Sequence, residues 1–187
     1  LFNIANALAN AEKFEEAVIK YKEYLEIEPE NDDAHCYIGE CYLNLEDHLL
    51  SELYYRKALE INKKNDTAWF GIALIFWINQ NFEESIAYVK KAVKLDNKNS
   101  EYWLTLGKIH NDFGQSENAI KALKSAARID SENTEIWMTW VDVFLKNNEP
   151  QNAVRILKRA MKANTDSVLS VNTISPFISR AGFKKFL

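Results

Sequence analysis

Residues 65–98 read NDTAWFGIALIFWINQNFEESIAYVKKAVKLDNK, and residues 99–132 read NSEYWLTLGKIHNDFGQSENAIKALKSAARIDSE. Laid one above the other, the two segments agree in residue class along their length. Asn65 stands above Asn99, Trp69 above Trp103, and Ala92 above Ala126. Working outward from this pair, the 34-residue period continues. Its rows include Asn31, Asn65, Asn99 and Asn133; His35, Trp69, Trp103 and Trp137; Gly39, Ala73, Gly107 and Val141; and Tyr42, Phe76, His110 and Phe144. A small row joins Ala17, Ser51, Ser85, Ala119 and Ala153, and a large one joins Tyr21, Tyr55, Val89, Leu123 and Leu157. A fixed period of this length marks stacked supersecondary units.

Each unit carries two helical patterns. Trp69, Ile72, Ala73 and Phe76 have the spacing of one helix face, and Ser85, Ile86, Val89, Ala92 and Val93 define a second. A short polar turn separates them, as at Asn79-Gln80-Asn81. Asp32, Asp66, Ser100 and Thr134 are the expected helix N-caps. Small rows mark where helices approach closely, with large residues opposite. No unit can bury its apolar face alone, so neighbours must stack. The spacing predicts ten helices through residue 167, with turns near residues 11–14, 45–48, 79–82, 113–116 and 146–149. The units fall at 1–31, 32–65, 66–99, 100–133 and 134–167, followed by a tail at 168–187. In the tail, Val171, Ile174, Ile178 and Gly182 continue the register, while Pro176 would kink or restart it. The tail is therefore expected to be a broken cap helix or a degenerate sixth unit covering the last apolar face.

The row Trp103, Leu106, Gly107 and His110, followed by Gly114, Ala119, Leu123 and Ala126, resembles the tetratricopeptide repeat family. Pro29 matches the proline that often ends the second helix in that family. The resemblance runs over residues 1–167. It implies an all-α fold: a right-handed superhelical solenoid of helix-turn-helix repeats whose concave groove is lined by the first helix of each unit. The best-known ligands of the family are the C-terminal carboxylates of heat-shock chaperones, held by a clamp of Lys, Asn and Arg. Phe2, Asn6, Tyr37, Thr67 and Gly71 stand at the clamp positions, and only Asn6 matches. Binding of that type is not expected.

Composition is that of an ordinary soluble globular protein. Hydrophobic residues make up 47% and charged residues 27%, while five Gly and three Pro are too few for a turn-rich all-β fold. Two Cys exclude a disulfide scaffold and suit a reducing compartment, so a cytoplasmic location is expected. The longest apolar run, Ala68 to Ile78, is too short to span a membrane. Leu1 already lies inside a periodic segment, which suggests a piece of a longer protein.

No motif for catalysis stands out. There is no phosphate-binding Gly loop, no H-E-x-x-H and no C-x-x-C. His35, Cys36, Cys41 and His48 resemble a zinc set only briefly. Cys36 and Cys41 are about 140° apart around a helix, and His35 occupies the tryptophan row. His110, Asp112 and Ser116 lie close in sequence, but His110 fills an aromatic row and reads as a packed, hydrogen-bonded residue. Asn65-Asp66-Thr67 is a glycosylation sequon only in a secreted protein, and otherwise a cap. No enzyme, cofactor or metal is expected.

The expected function is a protein-interaction scaffold. Phe2, Cys36, Phe70, Leu104 and Met138 form one more apolar row, which either packs between first helices or floors a bound peptide. In the third unit Phe70, Leu74, Trp77 and Ile78 add a second apolar stripe beside the core stripe, so this helix should be covered nearly all round. Deeper packing of the repeats would also account for it. The equivalent second-turn positions are Asn6, Glu40, Lys108 and Asp142, which makes the patch an apolar centre with a polar rim. The partner-binding residues are thus read as Phe70, Leu74, Trp77 and Ile78, with Leu104 and Met138 extending the floor and Glu40 and Lys108 at the rim. Asn3, Asn6, Asn10 and Asn44 either bond a peptide backbone or are simply solvated. The ligand is expected to be a protein or peptide. Self-association is the alternative, as is a regulatory role within a larger enzyme or secretion component.

Charge is uneven along the chain. Residues 1–149 carry a net −10 and residues 150–187 a net +6. Arg155, Lys158, Arg159 and Lys162 share one helix face, which reads as a docking surface for an acidic protein, a nucleic acid or an anionic membrane, or else as a solvated face. The aromatic residues are mostly assigned to core rows, so stacking on nucleic bases lacks support, and no nucleic acid partner is expected.

Overall fold

A computed structural model describes residues 1–163. The expectations for the tail at 168–187 lie outside these residues. Among the described residues there are ten helices and no strand. They fall into two compact units, one ending at Asp96 and the other beginning at Asn97. The first unit holds α1 (Phe2–Asn10), α2 (Phe14–Leu25), α3 (Asp32–Asn44), α4 (His48–Ile61), α5 (Asp66–Ile78) and α6 (Phe82–Leu95). The second holds α7 (Ser100–Asp112), α8 (Ser116–Ile129), α9 (Thr134–Lys146) and α10 (Pro150–Ala163). Consecutive helices pair as hairpins, α1 with α2 through α9 with α10.

The helix starts differ from the sequence expectation by one residue. The caps are the asparagines themselves, not the residues after them. Asn31 Oδ1 accepts from the Ala34 amide and Asn65 Oδ1 from the Ala68 amide, both at 2.8 Å. Asn99 and Asn133 accept from Glu101 and Glu135, both at 3.0 Å. Asn is among the best residues for an extended cap position whose side chain meets an otherwise unbonded amide. Asp32, Asp66, Ser100 and Thr134 are instead the first helical residues.

Within each hairpin the turn is a Schellman closure. The Asp47 amide donates to the Tyr42 carbonyl at 2.9 Å, and the Glu46 amide to Leu43 at 3.1 Å. The same bonds recur from Lys13 to Leu8, Asn81 to Phe76, Gln115 to His110 and Glu149 to Phe144. This closure requires a left-handed residue. The five residues that take it are again 34 apart: Glu12, Glu46, Gln80, Gly114 and Asn148, with φ between 58° and 76°. Only Gly114 is free of the Cβ clash that makes this region costly.

The tryptophan row also carries a specific bond. Trp69, Trp103 and Trp137 each donate from Nε1 to the carbonyl six residues earlier, at Lys63, Asn97 and Ser131, over 2.8–3.0 Å. His35 makes the same link through Nε2 to the Pro29 carbonyl at 3.2 Å. The first helices α3, α5, α7 and α9 are thereby fastened to the loops that lead into them.

In the first unit the packing turns on Tyr55, which is buried. Its ring lies against Gly39 of α3, where a Cβ would come within 3.0 Å, and against Gly71 of α5, where a Cβ would overlap the ring. At the preceding junction Tyr21 stacks on Tyr37, with ring centres 5.7 Å apart. The buried hydroxyls of Ser51 and Ser85 donate to the Gly39 and Ala73 carbonyls at 2.8 Å, so this small row also joins the two helices of a hairpin. In the second unit a Cβ on Gly107 would meet Leu123 at 2.7 Å, and the core continues through Leu104, Ile136, Val141 and Ile156.

Two outcomes follow. Gly71→Ala forces the Tyr55 ring to move and is expected to destabilise by about 1–3 kcal/mol, read from the shift in urea midpoint. Gln80→Gly relieves a left-handed residue at an open turn and is expected to stabilise by about 0.5–1 kcal/mol in the same assay.

Candidate partner-binding site

The three first helices of the first unit, α1, α3 and α5, present the residues singled out in the sequence. α3 touches α5 directly, and α1 reaches α3 through Phe2 and Tyr37, whose ring centres lie 5.7 Å apart. On α5, Phe70 is 8% exposed, Leu74 and Trp77 are half-buried, and Ile78 is 52% exposed. The second apolar stripe therefore starts in the packing and ends in solvent, one helical turn at a time. Cys36, in the same row as Phe70, is buried and donates from Sγ to Asn65 Oδ1 at 3.2 Å. This thiol supports the cap of α5.

Between α1 and α3 lies an open recess of about 270 Å³. Asn6, Asn10, Tyr21, Tyr37 and Glu40 line it. Asn6 Oδ1 already accepts from the Tyr21 hydroxyl at 2.6 Å, and Asn44 donates to the Glu40 carbonyl of its own helix at 2.9 Å. Asn3 and Asn10 are exposed. Burial pushes the Tyr21 phenol well above its ordinary range, so it remains a neutral donor to Asn6.

On the second unit the corresponding face is polar and cross-tied. Lys108 pairs with Glu135 at 2.7 Å, linking α7 to α9. Asn111 donates to Asp142 at 3.1 Å, and Lys146 reaches Asp142 at 3.2 Å and Asp112 at 3.6 Å. Leu104 is 4% exposed within the core, and Met138 is half-buried against that core. Of the eight residues read as partner-binding, Leu74, Trp77, Ile78, Glu40, Lys108 and Met138 retain exposed surface, whereas Phe70 and Leu104 do not.

The residues weighed for chemistry have structural partners. His110 is buried, with Nδ1 2.8 Å from Gln115 Oε1, and Ser116 donates to Asn147 Oδ1 at 2.8 Å. Among the described residues, no three His, Cys, Asp or Glu side chains converge as metal ligands. Burial raises both thiols, and Cys41 is pushed up to about 12.

A feature missed in the sequence lies in the second unit. A recess of about 530 Å³ opens between α8 and α10, walled by Trp137 and Trp140 of α9. The available signal was Trp140, which stands in the row of Ile38, Ile72 and Leu106.

Paired helices in a 34-residue register, closed by repeated caps and turns, with the first helices carrying the variable surface, define a helical repeat scaffold. The tetratricopeptide repeat models match residues 2–66, 66–99 and 100–133, and the chain belongs to the tetratricopeptide repeat family. A comparison with curated proteins found no match. Among solved structures, a MamA structure is similar at 16% identity and a TM-score of 0.75, over 88% of this chain and 96% of that one. PilF from Pseudomonas aeruginosa is similar at 17% identity and a TM-score of 0.78, over 97% of this chain and 85% of that one. YrrB, described as a TPR protein with an unusual peptide-binding site, is similar at 18% identity and 0.68, over 93% and 90%. These likenesses establish the all-α solenoid class of the fold. Among the described residues, no helix is long and apolar enough to cross a membrane.

With the Cys41 thiol at about 12, only about one molecule in ten thousand carries its thiolate at pH 8. Neither Cys36 nor Cys41 is therefore expected to react with a disulfide reagent at that pH in the folded protein. Both should react within minutes in denaturant, as read by thionitrobenzoate release.

Proposed function

We propose that the chain is a non-enzymatic scaffold that holds a peptide or protein segment against its first helices, with Leu74, Trp77 and Ile78 as the apolar contacts. The carrying observation is that α5 is apolar on every side yet ends with Ile78 half in water. Phe70 underlies these residues, and Glu40 supplies an acidic neighbour on α3. On the second unit, Met138 is the proposed apolar contact and Lys108, shared with Glu135, the proposed charge. Buried aromatic and aliphatic anchors dominate affinity at such surfaces, while rim charges set orientation and rate. Family membership supports the interaction role, and the peptide-binding description of YrrB is in keeping with it.

The test uses the full-length protein with Leu74 and Trp77 both replaced by Ser. Helical content measured by circular dichroism is expected to stay intact, while recovery of the natural partner from native extract falls about tenfold or more. Equal recovery by both proteins would refute the groove. Unfolding of the double variant would assign Leu74 and Trp77 to the core. In that case Ile78→Asp, at an exposed position, becomes the deciding variant. A concentration-dependent dimer in sedimentation that Ile78→Asp abolishes would replace the peptide with a second copy of the chain.

A further inference from the structure

The recess between α8 and α10 joins a smaller one of about 270 Å³ through Ala127, Trp137 and Arg159, forming one trough. α8 contributes Lys124 and Arg128, and α10 contributes Arg159 and Lys162. Trp137 and Trp140 stack with ring centres 5.9 Å apart and planes 8° from parallel. The Arg159 guanidinium carbon lies 5.9 Å from the Trp140 ring centre. Trp140 is 4% exposed, and its indole N–H finds no acceptor. Among the described residues, no Asp or Glu lines the trough, and none of its four cations forms an ion pair.

The repeat register explains why a trough exists here. Sixty-eight residues earlier, two repeats back, the matching junction is filled. There Leu59 is buried, and Tyr88 stacks on Trp69 with ring centres 5.7 Å apart. Lys91 sits 4.0 Å from the Trp69 ring centre, and Arg56 bonds Glu52 and then Tyr88. In the last repeats Ala127 stands for Leu59 and Ile156 for Tyr88, which removes the side chains that close the groove. Arg128 stands for Glu60, which reverses the charge at its edge.

We propose that this trough binds an acidic peptide segment. Its carboxylates pair with Arg128 and Arg159, with Lys124 and Lys162 flanking, and one apolar side chain lies on the tryptophans. The two guanidinium groups are exposed, Arg159 beside the Trp140 ring, and planar guanidinium favours carboxylates geometrically as well as by charge. A nucleic acid strand fits less well. The cations span only about one helical turn on each side, and the net −10 of residues 1–149 repels a long polyanion. Residues 167–187 contain no Asp or Glu and include Arg180, Lys184 and Lys185, so their composition does not complement the trough either.

The test titrates the full chain with a fluorescein-labelled peptide of alternating Asp and Glu around a central Leu. A second peptide carries Asn and Gln in place of the acids, and binding is read by polarisation at about 0.05 M salt, where surface charge is weakly screened. The acidic peptide should bind at micromolar concentration, and the neutral one about tenfold or more weaker. Arg128→Glu with Arg159→Glu should lose about tenfold or more, while Arg155→Glu, on α10 outside the trough lining, should lose less than about twofold. Equal loss in Arg155→Glu would reduce the effect to overall charge and overturn the site. No binding by the wild-type chain would overturn it too, including the case where residues 164–187 already fill the trough. An oligonucleotide that competes as well as the acidic peptide would assign a nucleic acid instead. A salt-sensitive dimer abolished by Arg159→Glu would assign a second copy of the chain.

Discussion

The first unit depends on one steric fit, the ring of Tyr55 against two glycines on different helices. Gly39 lets the ring lie close to the partner helix of its own hairpin, and Gly71 lets the next hairpin close over its other side. A side chain at Gly71 would occupy the same space as the ring. Interiors pack at the density of organic crystals, so such a site tolerates neither a gap nor an added methyl without movement elsewhere. The register of α5 on α3 and α4 is fixed by this contact, and with it the direction in which Leu74, Trp77 and Ile78 face.

Around that fit the repeat uses directed bonds rather than bulk burial to fix its geometry. Schellman closures end all five first helices, and in α3, α5, α7 and α9 an Asn side chain starts the helix and an indole or imidazole nitrogen ties it to the loop before it. Each bond is worth only about 1 kcal/mol, but the set recurs in four successive repeats and leaves the exposed positions of the first helices free to vary. The surface chemistry can therefore differ sharply from repeat to repeat. α5 is apolar all round, whereas the face of α7 and α9 is tied by Lys108, Glu135, Asn111 and Asp142.

The two surfaces proposed here follow from the same logic applied at different positions. Around α5 an excess of apolar side chains remains after the core is filled, because one helix carries two stripes. Between α8 and α10 a deficit appears, because Ala127 and Ile156 are smaller than the residues that fill the matching junction. Excess offers a surface for apolar anchors. Deficit, walled by indoles and rimmed by cations that form no ion pair among the described residues, offers a cavity for an acidic ligand.

The sequence by itself determined the ten helices of the described residues, their turn positions and the family, because a 34-residue period repeats those instructions several times. It also singled out the double stripe of α5, since helical spacing alone shows which residues share a face. It misread the caps by one residue, because Asn and the Asp, Ser or Thr after it are both good cap residues and only the backbone angles distinguish them. For the left-handed turn residues the sequence carried a single glycine, Gly114, since Glu12, Glu46 and Gln80 lack the residue that usually marks them. Exposure was decided in three dimensions. Phe70 and Ile78 lie on one stripe, yet one is packed and the other half in water, because that stripe is covered only at its start while the core stripe stays buried through Ile75. The trough likewise depends on how three consecutive helices pack, and the spacing of the residues does not measure the space left between them.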